Sequence, residues 1–396
     1  MIITSILEVR LIWIVWNVLS KNVNSIVLMK LCLIYNFAQH YRTSIFKLID
    51  QEYDCSFVFG NEYLNIKKMD YSLLRGDVTE VPTKKLSGGW LYRPGIQKYL
   101  RKDFDCYLLL GESRALSTWL FCLKARFLHP RKKVYFWSHG WYGKENRVER
   151  LLKKLFFRLP NGGVFLYGNY ARELMIKEGF NPEKLYTIHN SLAYDEQVAV
   201  RQQLMDKPIY KEHFRNDYPN LFFVGRLTTI KKLDMVLSAM AQLKDKGQNY
   251  NMTFIGGGDV QEELETIANE LGLNDNIWFF GPCYDEKVLG EMIYNADLCV
   301  SPGNIGLTAM HSLVFGTPAI THDDFQHQMP EFEAIREGET GTFFENGNVS
   351  SLAEKIARWF ERHKDDREFV RKVCMTEIDE NWTPQFQIGV LKQHLV

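Results

Sequence analysis

At 396 residues, with 46% hydrophobic and 24% charged residues, the chain is long enough for two globular domains with sizeable cores. It has no low-complexity tract and no short internal repeat, which excludes a solenoid or a disordered tail. Lys and Arg balance Asp and Glu at 48 each, but unevenly: residues 1–200 carry 29 basic against 18 acidic residues, and residues 201–396 carry 19 against 30. A basic half suits an anionic partner such as phospholipid, lipid diphosphate, acidic glycan or nucleic acid, or else a complementary face on the acidic half. Seven scattered cysteines without a Cys-x-x-Cys speak for reduced thiols in the cytoplasm, and against a disulfide framework or a zinc site.

Residues 1–28 contain the apolar run LIWIVWNVL. It is too short for a spanning helix of about 20 residues and lacks the charge pattern and cleavage site of a signal peptide. We expect an extension, either upstream of a natural start at Met29 or lying loosely on a membrane surface. From residue 29 strand and helix patterns alternate. LCLIY, CSFVFG, CYLLLG, KVYFW, GVFLYG and KLYTI read as apolar strands with helices between them, interrupted by an irregular stretch ending near Gly95. Buried parallel strands have this continuous apolar character. A polar break follows, and NLFFVG, MTFIGG, IWFFG, DLCV, PAIT and GTFF restart the alternation. The expected organisation is a doubly wound, Rossmann-like domain over residues 29–195, a second over 196–380, and a C-terminal helix over 381–396 that crosses back to the first. Ligands in such α/β folds bind outside the carboxyl ends of the strands.

Three stretches of the second half carry chemistry. In FFVGRLTTIKKL, Arg226 sits on a loop after a strand and Lys231 near the next helix; two fixed cations and a helix N-terminus suit a diphosphate, and a solvated basic turn is the plainer alternative. In TFIGGGDVQEE, Gly256 and Gly258 close a strand, and Asp259 with Glu262 has the spacing of a capping box. Gln261 stands where a dinucleotide fingerprint needs its third glycine, so NAD binding is poorly supported. In SPGNIGLTAMHSLVFGTPAIT, Asn304, Gly306, Leu307 and Thr308 present backbone N–H groups at a helix start, with His311 one turn further on.

The ordered set, continued through WFFGPCYDEKVLG and EFEAIREGETGTFF over residues 220–385, resembles the donor domain of GT-B glycosyltransferases of family 4. The resemblance implies a GT-B fold, a UDP- or GDP-linked sugar donor, a glycan or lipid-linked acceptor in polysaccharide or glycoconjugate synthesis, retention of configuration, no cofactor or essential metal, and no nucleic acid. By motif position it assigns the diphosphate to Arg226 and Lys231, the nucleotide floor to Gly256 and Gly258, and the base to the loop with Pro282 and Cys283. Glu331 and Glu333 fall in a further donor loop. The family carries two glutamates eight positions apart, which here are Gly303 and His311, with Asn304 as a substitute for the first. That departure keeps other readings open: a sugar-nucleotide epimerase, a phosphorylase, or a catalytically silent nucleotide-sugar-binding protein.

In the N-terminal half, His139 in WSHGWYGKE resembles the family histidine that touches the donor sugar, and is the candidate catalytic residue, accepting a proton or hydrogen-bonding a sugar hydroxyl. His40, Arg42 and Glu112 lie on comparable loops and are candidates for acceptor binding. Trp137, Trp141 and Tyr142 either stack on sugar rings or belong to the core. KENRVERLLKKLFFRL is an amphipathic helix with Val148, Leu151, Leu152, Leu155 and Leu159 on one face. It either packs that face on the sheet or lies on the anionic inner face of a membrane.

Overall fold

The computed structural model describes residues 28–61 and 66–395; the expectations for residues 1–27 lie outside them. In the N-terminal domain β1 (Lys30–Tyr35), β2 (Asp54–Gly60), β3 (Val78–Val81), β6 (Cys106–Leu110), β7 (Lys133–Ser138), β8 (Gly163–Leu166) and β9 (Leu185–Thr187) form a parallel sheet ordered β3-β2-β1-β6-β7-β8-β9. A small antiparallel pair, β4 (Lys84–Lys85) and β5 (Leu91–Tyr92), stands apart from it. The helices are α1 (Thr43–Glu52), α2 (Leu116–Leu128), α3 (Arg147–Phe156) and α4 (Asn169–Lys177). Successive side chains of a strand point to opposite faces. Leu31, Leu33 and Tyr35 therefore enter one core while Cys32 and Ile34 enter another. Both faces of β1 are buried, which is why its sequence is apolar throughout.

A linker carrying α5 (Tyr194–Arg201) and α6 (Ile209–Phe214) leads to the second sheet, ordered β12-β11-β10-β13-β14-β15 and also parallel. Its strands are β10 (Asn220–Val224), β11 (Asn251–Ile255), β12 (Ile277–Phe279), β13 (Leu298–Val300), β14 (Ala319–His322) and β15 (Gly341–Phe344). Around it lie α7 (Asp234–Lys244), α8 (Gln261–Glu270), α9 (Glu286–Asn295), α10 (Leu307–Val314), α11 (Val349–Arg362) and α12 (Arg367–Asn381). The last helix, α13 (Pro384–His394), packs on the N-terminal domain: Lys392 pairs with Glu52 at 2.8 Å, and the His394 ring stacks on Tyr186 at 4.0 Å.

The chain thus passes between the domains twice, and the two passages are bonded to each other. Ser191 donates to Gln387 Oε1 at 2.6 Å, Gln387 Nε2 donates to the His189 carbonyl at 2.9 Å, and the His189 ring lies 4.3 Å from Trp382. Ser191 and Gln387 are fully enclosed.

Several local expectations are corrected. The irregular stretch before Gly95 supplies edge strand β3, only four residues long. Helix α8 begins at Gln261 with Val260 as its N-cap and no side-chain cap, so Asp259 and Glu262 do not form a capping box; Asp259 lies one residue too early. Trp137 and Trp141 are core residues, leaving only Tyr142 of the three aromatics partly exposed. On α3, Val148, Leu151 and Leu155 face solvent, because the sheet side is taken by Phe156 and the partly buried Leu152.

Replacing Gln387 by Leu leaves the Ser191 hydroxyl and the His189 carbonyl without their buried partner. Stability should fall by about 1–3 kcal/mol, read as a lowered thermal unfolding midpoint; an unchanged midpoint would mean the two passages are not held by this residue.

Candidate functional site

Each sheet reverses direction beside its first strand, between β1 and β6 and between β10 and β13. Loops leaving such neighbours at their carboxyl ends diverge and open a crevice. In the C-terminal domain those loops are 225–231 and 301–306, which hold Arg226, Lys231, Asn304 and Gly306 of the expected donor residues.

The two loops meet backbone to backbone. Gly303 N donates to the Lys231 carbonyl at 2.9 Å, and a Cβ at Gly303 would overlap the Ile230 carbonyl oxygen and lie 2.7 Å from Lys231 Cα. No carboxylate side chain fits at Gly303. Lys231 reaches across the junction and donates to the backbone and side-chain oxygens of Asn304, at 2.6 and 2.9 Å. Asn304 therefore holds the lysine. Burial pushes the Lys231 ammonium down to about 8, with the Glu331 carboxylate opposing and Arg226 adding to the shift. Arg226 is exposed and has no carboxylate partner among the described residues.

Helix α10 starts beside these cations. Its N-cap Gly306 has φ 54° and ψ −143°, a conformation reserved for glycine, and no side chain caps the helix. The Thr308 hydroxyl is committed to the Val224 carbonyl at 2.8 Å, so only backbone N–H groups of Leu307 and Thr308 remain to meet an anion. Gly256 and Gly258 lie one layer lower: a Cβ at either would overlap the carbonyl of Gly225 or Leu227. These glycines let the loop after β11 pack under the loop after β10. Pro282 lies against Gly257, and the half-buried Cys283 thiol is 3.8 Å from the Asp285 carbonyl.

His311 joins a group that no local motif announces. Its Nδ1 is 3.3 Å from Gln197 Nε2, which also donates to Glu286 Oε2 at 3.4 Å. Burial, with His40 adding to it, drives the His311 imidazole down to about 4, and burial raises the Glu286 carboxyl. His40 stands across from both, its Nδ1 3.2 Å from the Lys67 carbonyl.

A chain of polar groups bridges the domains. Glu331 accepts from Asn190 Nδ2 at 2.8 Å, and Asn190 Oδ1 accepts from Arg42 at 3.2 Å. Arg42 also donates to the Tyr167 hydroxyl at 2.8 Å. Glu331 and Arg42 are buried, yet Glu331 Oε2 and Arg42 Nε and Nη1 have no hydrogen-bond partner among the described residues; the Arg42 guanidinium lies instead over the rings of Tyr35, Trp137 and Tyr167, 5.4, 5.5 and 5.2 Å from their centroids. Burial raises the Glu331 carboxyl, while Asn190, Arg42 and Lys231 hold it down. Buried polar atoms without partners are rare; the rings around Arg42 offset part of its cost, which leaves Glu331 Oε2 as the less compensated group. Beside them, His139 rests on Tyr167 with ring centroids 4.7 Å apart. Its Nδ1 is likewise buried and unpartnered, and burial, with Arg42 and Lys153, brings it down to about 4.

Two expected site residues are used otherwise. Glu333 accepts from the N–H groups of Asn169 and Tyr170, at 2.7 and 2.8 Å, and so caps α4 of the opposite domain. Burial raises its carboxyl to about 7 against the pull of those two donors. Glu112 ion-pairs with the buried Arg93 at 2.9 Å, away from the Arg42–Glu331 chain. The sequence reading missed Asn190, Gln197, Glu286 and Tyr167, which lie on a linker, two helices and a strand end and converge only in the folded molecule. Among the described residues no group of three His, Cys, Asp or Glu is arranged to hold a metal ion. A larger cavity, about 350 Å³, opens near Asn220, Trp359 and Arg367. It lies at the opposite ends of the strands, and its Arg367 is already paired with Asp297 at 3.2 Å.

Comparison with solved structures identifies the frame. The lipopolysaccharide outer core galactosyltransferase WaaB superposes with a TM-score of 0.67 over 92% of this chain and 99% of its own, at 13% identity. Anabaena HepE in complex with UDP gives the same values. The fold is GT-B. Within it, residues 206–373 match the family model described as glycosyl transferases group 1. EpsD of Bacillus subtilis, named as a glycosyltransferase, is 28% identical over 155 residues, 38% of this chain and 39% of its own length. The curated relatives are thus matched over less than half their length. In GT-B terms the 225–231 and 301–306 loops line the C-terminal wall of the cleft, and Arg42 and His139 line the N-terminal wall.

The contact at Gly303 is directly testable. Gly303→Ala should lower stability by roughly 1–3 kcal/mol, the usual range for overpacking, and Gly303→Glu, with a longer side chain to place, should be worse. A Gly303→Glu protein with an unchanged melting temperature would show that the loops can part.

Proposed function

We propose that the protein is a glycosyltransferase that moves a sugar from a nucleotide-diphosphate donor to a glycan or lipid-linked acceptor. The observation that carries this reading is the meeting of Arg226, Lys231 and the uncapped start of α10 at the switch point of the C-terminal sheet. Two cations and oriented N–H groups stabilise the charge that develops on a departing diphosphate, and we include metal independence in the proposal on that ground. The family model over residues 206–373 and the superposition on a galactosyltransferase support it. Because HepE was solved with UDP, a UDP-sugar is the first donor to test, ahead of a GDP-sugar.

The family's carboxylate cannot stand at Gly303, and Glu331 offers a replacement. Its free Oε2 accepts a hydroxyl of the donor sugar, next to the lysine that holds the phosphates. His311 and Glu286, joined through Gln197, take the ribose hydroxyls. His139 is neutral above about pH 4, so it is a weak base and serves as a hydrogen-bonding partner for a sugar hydroxyl. Closure of the cleft excludes water and aligns the acceptor oxygen. We assign retention of configuration, which proton NMR of the first-formed product reads directly. Free cysteines throughout the described residues fit a reducing compartment, and we place the reaction in the cytoplasm.

Arg226→Ala and Lys231→Ala should each weaken UDP binding by about 1.5–3 kcal/mol in calorimetric titration; unchanged affinity would remove the diphosphate assignment. Glu331→Gln should retain UDP binding and lose sugar transfer and donor hydrolysis. If it keeps full turnover, the carboxylate does not serve the sugar.

The pH dependence has a definite sign. Lys231 binds phosphate in its charged form, and in the free protein that form is lost above about pH 8. UDP affinity should therefore be flat from about pH 7, above the titration of the terminal phosphate at about 6, up to about 8 and fall by up to tenfold per unit above it, with proton uptake on binding there. In Lys231→Ala the decline should disappear.

A further inference from the structure

We propose that the outer face formed by α2 and α3 docks on an anionic lipid bilayer. On α2 the apolar residues Leu116, Leu120, Leu123 and Phe127 recur at helical spacing on one side, and all four are exposed, Phe127 by 75%. Neighbouring α3 adds Val148, Leu151 and Leu155, exposed by 68%, 60% and 49%. The helices are fastened side by side. Arg114 pairs with Glu149 at 3.3 Å, the Trp119 and Phe156 rings are 5.2 Å apart, and Arg126 donates to the Arg158 carbonyl at 3.4 Å. Exposed apolar side chains are thus grouped on two adjacent helices, whereas Met205, Ile230, Tyr284 and Phe369 are exposed singly along the C-terminal half; a grouped patch marks an interaction surface.

Its charge chooses the partner. Residues 113–159 carry 12 Lys and Arg against two Asp and Glu. Lys124, Arg126, Arg147 and Arg158 are exposed beside these apolar residues and have no carboxylate partner among the described residues. The acids nearby are already taken: Glu149 by Arg114, and Glu178 by Arg150 and Lys154 at 2.7 and 2.8 Å. Apolar side chains flanked by unpaired cations match a bilayer surface, where acyl chains lie beneath anionic headgroups. A second copy of this face would set cation against cation. Among the described residues no helix is long and apolar enough to cross a membrane, so the contact is peripheral.

The position of the face fits the cleft. Helix α2 follows the loop of Glu112, and α3 follows the loop of His139, so both helices start at the cleft and carry the patch away from it. A docked molecule holds its N-terminal wall next to the headgroups, within reach of a lipid-linked acceptor. That last step rests on the transfer reading above; bilayer binding does not.

The test is co-sedimentation of the full chain with vesicles of phosphatidylcholine alone or mixed with phosphatidylglycerol. The native protein should bind the mixed vesicles and leave them at high salt. The double variant Phe127→Glu/Leu151→Glu should bind at least about tenfold more weakly, and Lys124→Glu/Arg147→Glu should lose about fivefold or more per cation removed. Both should keep the native melting temperature, as exposed substitutions do, and native UDP affinity, so failure here is separate from failure of the donor assignment. Absence of native binding to the mixed vesicles would overturn the proposal. So would a Phe127→Glu/Leu151→Glu variant that binds like the native protein, which would put the anchor elsewhere in the chain. Light scattering that finds a native dimer, split by the same variant and indifferent to vesicles, would assign the face to self-association instead.

Discussion

The backbone contact between Gly303 and the Ile230–Lys231 turn governs the C-terminal half of the site. Two loops leaving adjacent strands of a parallel sheet normally diverge. Here the absence of a side chain lets them touch, and the contact sets where Lys231 can go. Its ammonium crosses to Asn304 and is partly desolvated there, which explains why it gives up its proton so readily. The same contact removes space for an acidic side chain beside the start of α10. One close approach thus places the lysine and keeps carboxylates off the 301–306 loop at this point.

The carboxylate near this lysine is that of Glu331, on a separate turn, and its neighbours come from the linker and the opposite domain. Arg42 and Tyr167 belong to the N-terminal sheet, Asn190 to the linker and Glu331 to the C-terminal domain. A buried carboxylate and a buried guanidinium, relayed through one amide, are strongly coupled in a medium of low polarity. Each keeps hydrogen-bonding capacity unused. A polyhydroxylated ligand is the kind of molecule that can meet its demands. Glu333, two residues on, caps a helix of the other domain, so one short turn both carries Glu331 and ties the two domains together.

Much of the architecture was legible in the sequence because continuous apolar strands and 3.6-residue periodicity are local signals. Arg226, Lys231 and Gly306 were legible too, since strand–loop–helix junctions reveal which residues stand at the carboxyl ends of strands. Glu286, Gln197, Asn190 and Tyr167 were not, because their significance lies in contacts across long separations in the chain. Asn304 was expected to face a sugar and instead secures a lysine. That distinction depends on an approach of backbones that composition cannot show. Helix α3 misled for a different reason: its hydrophobic stripe pointed to a buried face, yet Phe156 and Leu152 had already filled the sheet side.

The paired passages between the domains set how the cleft can move. Ser191 and Gln387 fasten the outgoing linker to the returning chain at one buried point. Two ribbons pinned together behave as a flexure, compliant to bending and stiff to sliding or twisting. Any relative motion of the domains must therefore bend both passages together at this anchor, one residue from the Asn190 that relays Arg42 to Glu331.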